Sequence, residues 1–428
     1  MVAVDTSHGG ETKLLEPVAA LYREAGVPVQ ILESSPGRGN LVARLGGSGA
    51  KKPLLLLAHV DVVPVEGQTW SVPPFTLTEK DGFLYGRGVN DDKAMAAAIV
   101  ASTLELARSR TPLTRDVIVA LTAGEETNGA AGVRWLIENH KDLLDAEIAL
   151  NEGGAPLVSD DLAKPVEIAV QVSEKTYQSY QIVAKGKGGH SAMPPTSGDP
   201  TVALGRALVK IGGLRFPARI LPETKASFAD AGADAEPQYA AALRHAVASA
   251  PGISPADEAV LAKDEKFNAQ MRTTCVATML KAAAAENIVP TTAEATVNCR
   301  ILPGDSRAQV RAALEKAVAD TGVSVVEGPD VGDGPHSPFE GEVVDAVRKV
   351  SATLFPGMRV EPQMATGGSD SRFLVRIGIR PYGVSPIAVS RAELRSGHTA
   401  HGADERMPVR WLEPTASYFR EVVRTLAL

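Results

Sequence analysis

Four short, almost wholly apolar runs, "LVARLG", "PLLLLAHVDVV", "DVIVALTAG" and "AEIALNEGG", alternate with helical patterns and constrain the fold more than any other feature of the chain. Apolar runs too short for a helix and lacking polar alternation read as strands buried on both faces. Between and before them, "ETKLLEPVAALYREAG", "DKAMAAAIVASTLELARSR" and "GAAGVRWLIENH" space their apolar residues three and four apart, the period of an amphipathic helix. Strand and helix in alternation predict a mainly parallel sheet covered by helices on both faces. In such a sheet ligands collect at the carboxyl ends of the strands.

From about residue 178 the texture changes. "TYQSYQIVAKG", "TTCVATMLKAAA" and "AEATVNCRIL" are strand-like with polar alternation, separated by the helical "DPTVALGRALVKIGGL" and "RAQVRAALEKAVADTG". This predicts an α+β unit with a largely antiparallel sheet. An Ala-, Asp- and Pro-rich stretch at 217–268 reads as surface helices and loops. After "GDGPHSP" the first texture returns. The expected architecture is an α/β domain of residues 1–178 and 334–428, interrupted by an α+β domain of residues 179–333.

With 428 residues the chain can bury two cores. A net charge of -7 without a basic stripe argues against nucleic acid as a partner. No apolar run reaches the roughly 20 residues that span a bilayer, since His59 and Asp61 interrupt the nearest one, so no membrane partner is expected. Cys275 and Cys299 form no disulfide framework and no zinc-type spacing, which fits a reducing compartment. The N-terminus lacks a basic region and an apolar signal core but begins abruptly. The expectation is a cytoplasmic protein, with a trimmed leader and periplasmic or secreted location as the alternative.

Polar residues cluster where the apolar runs end. His59 and Asp61 stand two apart and so share one face of their strand. They suit a metal ligand with a carboxylate partner, or a satisfied polar pair at a sheet edge. Asp91 and Asp92 open a helix after two glycines, where an aspartate also serves as a cap. Glu125 and Glu126 follow one strand and Glu152 the next; alone, each reads as a solvated loop residue. His398 and His401 lie in "SGHTAHGADERM". Taken together, these strand ends present imidazole and carboxylate without thiolate, a donor set for zinc, with cobalt or manganese as substitutes. Two imidazoles and three carboxylates suffice for two divalent ions sharing one carboxylate. Nearby dications would also offset the repulsion between Glu125 and Glu126.

The segments "HVDVVP", "GRGVNDDK", "GEETNG", "NEGG", "GKGGHSAMP", "NIVPTTAEATVNCRILPGD", "GGSDSRF" and "HGADERM" run in this order along nearly the whole chain. In them the chain resembles the two-zinc exopeptidase and amidohydrolase family of glutamate carboxypeptidases, aminoacylases, acetylornithine deacetylases and succinyl-diaminopimelate desuccinylases. The resemblance implies that His59 and Glu152 complete one zinc site and Glu126 and His401 the other, with Asp91 bridging. It implies that Asp61 orients His59, that Glu125 is the general base, and that a cis peptide follows Asp91. His398, outside the His-Gly-x-Asp-Glu context, is a loop residue.

It further implies that the inserted domain is a lid and dimerisation module. His190 of "GGHSA" would reach the substrate carbonyl, usually in the partner subunit, and Asn287, Arg300 and Arg372 would contact substrate. The implied reaction is hydrolysis of the amide bond of a dipeptide, a C-terminal peptide residue or an N-acyl amino acid by a homodimeric zinc metallopeptidase or aminoacylase. Alternatives are a biosynthetic N-deacylase, a carbamoyl-type amidohydrolase and, from another class, a metal-stabilised binding protein without turnover. Two departures stand out: the 217–268 stretch exceeds the compact form of the lid, and the first helix is missing.

Overall fold

Leu54–His59 is buried along its whole length because it runs between two parallel neighbours, Val117–Thr122 and Ile148–Asn151. In the computed structural model, which describes residues 1–428 apart from the side chains of 233 and 234, these strands form the centre of a ten-stranded sheet. Arg380–Gly383 extends the parallel centre beside Ile148–Asn151. Val29–Glu33 and Gly39–Leu45 add antiparallel strands on one side. Pro165–Glu174, Pro156–Val158 and Val389–Ser390 continue the other side, and Arg359–Ala365 pairs with Pro165–Glu174 as the tenth strand.

Alternate residues of Leu54–His59 feed two cores, as strand geometry requires. Leu54 and Leu56 join Val117 and Val119 beneath the helices Glu11–Glu24, Lys93–Ser109, Glu342–Leu354 and Val409–Ala427. Leu55 and Leu57 join Ile118 and Ala120 beneath Val133–His140 and Ser371–Leu374. Each such leucine contributes about 1.5–3 kcal/mol through burial, so these runs hold the sheet together.

The chain divides into two compact units. One comprises Met1–Val172, Ser337–Gln363 and Ser369–Leu428, and the other Ser173–His336 with Met364–Gly368. The expected boundaries at 178/179 and 333/334 therefore move to 172/173 and 336/337, and five further residues join the second unit. Polar alternation marks where a strand becomes half-exposed, whereas the division falls inside the strand Pro165–Glu174, before that change.

The second unit holds a four-stranded antiparallel sheet in the order Thr274–Lys281, Thr292–Ile301, Thr176–Lys185, Val323–Glu327. Thr292–Ile301 alternates strictly between buried and half-buried residues. The helices Pro200–Gly213 and Arg307–Val318 cover its apolar face. The 217–268 stretch forms helices joined by loops, but these helices also enclose a core. It contributes Pro222–Asp234, Pro237–Ser249, Pro255–Leu261 and most of Glu265–Met271, and Phe228, Leu243, Leu261 and Met271 form an apolar core of their own. Abundant alanine had hidden their periodicity.

Cys275 and Cys299 lie opposite each other in the register of neighbouring strands and form a disulfide. The two cysteines, expected to form no disulfide framework, are thus joined, which removes their support for a reducing compartment. Pairing across 24 residues of sequence depends on strand register, which cysteine spacing does not reveal. Among the described residues, no helix is long and apolar enough to cross a membrane.

Candidate metal centre

Parallel register brings the strand ends together: His59 lies opposite Thr122, so the turn that follows Thr122 starts beside the imidazole. Gly124, in the left-handed region at φ +70°, turns the chain into the single helical turn Glu125–Thr127. The Asp61 carboxylate accepts the backbone N–H of Glu125 at one oxygen and of Glu126 at the other, both at 3.1 Å. Asp61 also approaches His59 Nδ1 at 3.5 Å, while that nitrogen bonds the Asp61 carbonyl at 3.0 Å. Asp61 thus lies beside the imidazole and also holds the two amides of the glutamate turn.

The side chains of the two glutamates then diverge. Glu126 reaches His401 Nε2 at 3.1 Å. Donor atoms of Glu125, His59 and Glu152 lie within 4.8 Å of one another, as do those of His59, Asp91 and Glu126, and either group could hold a metal ion. Asp91 stands between the two imidazoles, with Oδ1 2.8 Å from His59 Nε2 and Oδ2 3.2 Å from His401 Nε2. The Asp91–Asp92 peptide is cis.

Electrostatics describe a site built for cations. Burial pushes the carboxyls of Glu125 and Glu152 well above the usual range, with surrounding acids adding to the effect. Burial would lower the pKa of His59, but Asp61 and Asp91 outweigh it and raise it well above its ordinary value. Hydrogen bonds to Asp91 and Glu126 lift His401 to about 10. Burial also raises Asp91, yet the two imidazoles win and hold it far below the carboxylate range. Protons on these groups balance charge that divalent ions would otherwise balance, and the N/O donor set fits such ions.

Asp370 is buried near this cluster. Burial lifts it to about 7 against the pull of Arg372, and Thr122 Oγ1 donates to it at 3.4 Å. Arg372 is buried with its guanidinium 4.8 Å over the Phe373 ring. His398 Nδ1 bonds the Ala403 carbonyl within its own loop.

In the second unit, His190 and Asn287 share an exposed corner. Gly189–His190 pairs with Ile288–Val289, and the Ser191 amide donates to the Asn287 carbonyl. Arg300 stacks 4.7 Å over Tyr177 and donates to Asn298. Asp305 accepts from Arg219 and from Thr273 Oγ1.

A sequence profile of peptidase family M20/M25/M40 matches residues 55–425. The chain belongs to this family. It is accordingly a metal-dependent hydrolase of the metallopeptidase and amidohydrolase kind. The N-fatty-acyl-amino acid synthase/hydrolase PM20D1 of Xenopus tropicalis is 27% identical over 378 residues, covering 87% of this chain and 72% of the relative. The succinyl-diaminopimelate desuccinylase of Cereibacter sphaeroides is 26% identical over 432 residues, covering 99% and 95%. Among solved structures, the M20 metallo-carboxypeptidase Sso-CP2 of Sulfolobus solfataricus superposes with a TM-score of 0.70 at 17% identity, over 99% of this chain and 97% of that one. YXEP of Bacillus subtilis, a dinuclear metal-binding M20 peptidase, gives 0.59 at 16% identity, over 100% and 97%. These likenesses establish the M20 fold.

Sequence reasoning overlooked Glu405, Arg87 and Gln68, which surround the backbone of this M20 site. Glu405 is fully buried and forms an ion pair with the equally buried Arg87 at 2.6 Å. Its position in "HGADERM" was in plain view, but an acid in a polar loop carries no sign of burial. Asp370, in "GGSDSRF", escaped notice for the same reason.

Proposed function

We propose that this M20 protein hydrolyses the amide bond of an N-acyl amino acid whose free carboxylate lies next to the scissile bond. The observation that carries the reading is the Asp91 carboxylate set between His59 and His401, one oxygen to each. His59 with Glu152, and His401 with Glu126, would hold two zinc ions, Asp91 would serve both, and Co2+ or Mn2+ would substitute. Bound there, divalent ions lower the pKa of a water toward about 7 and polarise the scissile carbonyl. Glu125 takes the proton of the attacking water and passes it to the leaving amine. Asp61 holds Glu125 and Glu126 in their turn and orients His59.

His190 donates to the oxyanion that develops at the carbonyl, acting in the partner subunit of a homodimer. In support, Thr274–Lys281 is an outer strand of its sheet and exposes Val276, Met279 and Leu280, an edge that pairing would cover. Arg300 and Asn287 bind the substrate carboxylate, and Arg372 is the second candidate for that role. Two sequence relatives carry names of enzymes that act on N-acyl compounds, which favours an acyl substrate. The carboxypeptidase title of a structural neighbour favours a peptide substrate as the second reading.

The test is hydrolysis by purified protein of a panel of N-acyl amino acids and dipeptides, before and after chelation, together with elemental analysis. The reading expects about two divalent ions per chain and higher kcat/KM for N-acyl amino acids. Active protein holding only traces of metal would refute it.

A further inference from the structure

Four donors converge on the buried Glu405 carboxylate. Oε2 accepts from Arg87 Nη1 at 2.6 Å and from the Gly88 amide at 3.0 Å. Oε1 accepts from the amides of Asn90 at 2.6 Å and Asp91 at 3.2 Å. The last of these belongs to the residue that stands between the two imidazoles.

Arg87 extends the network in the opposite direction. Its Nη2 donates to Gln68 Oε1 at 2.7 Å and to the His401 carbonyl at 3.4 Å. Gln68 Nε2 donates to that carbonyl at 2.8 Å. His401 needs such support, because its φ of +66° lies in the left-handed region. A residue with a Cβ stays there only when its surroundings hold it.

One buried carboxylate therefore fixes Asp91 through its main chain and His401 through Arg87 and Gln68. We propose that Glu405 is a positioning residue that sets the spacing and aim of Asp91 and His401, and through them the affinity of the site for its metal pair. The proposal rests on the metal reading above. Glu405 is fully buried, and both of its oxygens are taken up by protein donors. The arrangement parallels that of Asp61, whose carboxylate gathers the amides of the Glu125–Glu126 turn.

Metal affinity distinguishes positioning from simple structural support. Chelator-stripped wild type and variants are titrated with Co2+ and followed by visible absorption, while circular dichroism and melting temperature report the fold. Glu405→Ala strands the buried Arg87 charge, so Arg87→Met/Glu405→Leu is included, because removing both partners of a buried ion pair is far milder than removing one. Gln68→Ala removes the bond to the His401 carbonyl, together with the acceptor for Arg87 Nη2 and Trp70 Nε1, and leaves the four donors to Glu405 in place.

The folded Glu405 variants should bind Co2+ about 10- to 100-fold more weakly, the usual effect of losing a group that orients a ligand. Gln68→Ala should weaken one of the two ions by about 3- to 10-fold, in line with the loss of one hydrogen bond to the His401 carbonyl, and spare the other. If the folded double variant and Gln68→Ala bind both ions as wild type does, the proposal is overturned and the metal reading survives. If wild type takes up no Co2+ at all, both are overturned.

Discussion

Glu125 and Glu126 are sequence neighbours with separate surroundings. Both amides bond Asp61 and both carboxylates group with His59, yet one side chain meets Glu152 there while the other meets Asp91 and His401. Their amide variants should therefore fail differently. Glu125→Gln should keep its metal and lose turnover by several orders of magnitude. Proton transfer from a base is worth about 10²- to 10⁴-fold, and in the proposed mechanism the same group also serves the leaving amine. Glu126→Gln should hold less metal by elemental analysis. The reverse pattern would show that the pair is wrongly assigned. Arg300 offers a second residue-scale test. A bidentate bond between guanidinium and carboxylate is worth about 1.5–3 kcal/mol. Arg300→Met should thus lower kcat/KM for free-acid substrates by roughly 10- to 150-fold and leave the matched neutral amide little changed. Equal loss on both substrates would make Arg300 a structural residue stacked on Tyr177.

Between elements, Lys175 joins the helical segment of the second unit to its sheet. Its Nζ donates to the carbonyls of Ala269 and Arg272 and to Thr274 Oγ1. Burial first, and Arg300 second, lower its pKa from 10.5 to about 7. Between those values the unfolded chain holds a proton at this position that the folded chain lacks, so stability rises with pH over that window. Below about pH 7 both states are protonated, and above 10.5 neither is, so the contribution is flat outside it. Lys175→Met should cost about 1–3 kcal/mol at neutral pH, because buried carbonyls lose their donor. It should also remove this rise. Guanidinium unfolding at pH 7.5 and 9.5 checks both effects, and identical pH slopes for variant and wild type would exclude Lys175 as the source.

At the scale of the whole molecule, the proposed trans role of His190 is testable by subunit mixing. His190→Ala and Glu125→Gln should each be inactive alone. Mixed dimers carry one site with both residues intact, so exchange between the two variants should restore activity, up to about half the wild-type level per mixed dimer if sites act independently. Exchange demonstrated by mass spectrometry without recovered activity would place His190 in its own subunit's site.

The sequence by itself determined the parallel centre of the sheet. Leu54–Leu57 and Val117–Leu121 are too apolar and too short to be stable anywhere except as strands between other strands and helices. It also marked the functional ends of those strands, since imidazoles and acids directly after apolar runs need a partner, and family motifs supplied its kind. Only the tertiary structure decided which atoms meet. That His59 and His401 take opposite oxygens of one Asp91 follows from bringing residues more than 300 positions apart to one strand end. The Cys275–Cys299 bond depends on strand register, and the burial of Glu405 depends on the Gly86–Asp91 loop folding over it. Local periodicity records which face of an element is apolar. It carries no record of which distant polar group will be desolvated, because that is set by packing between elements far apart in the chain.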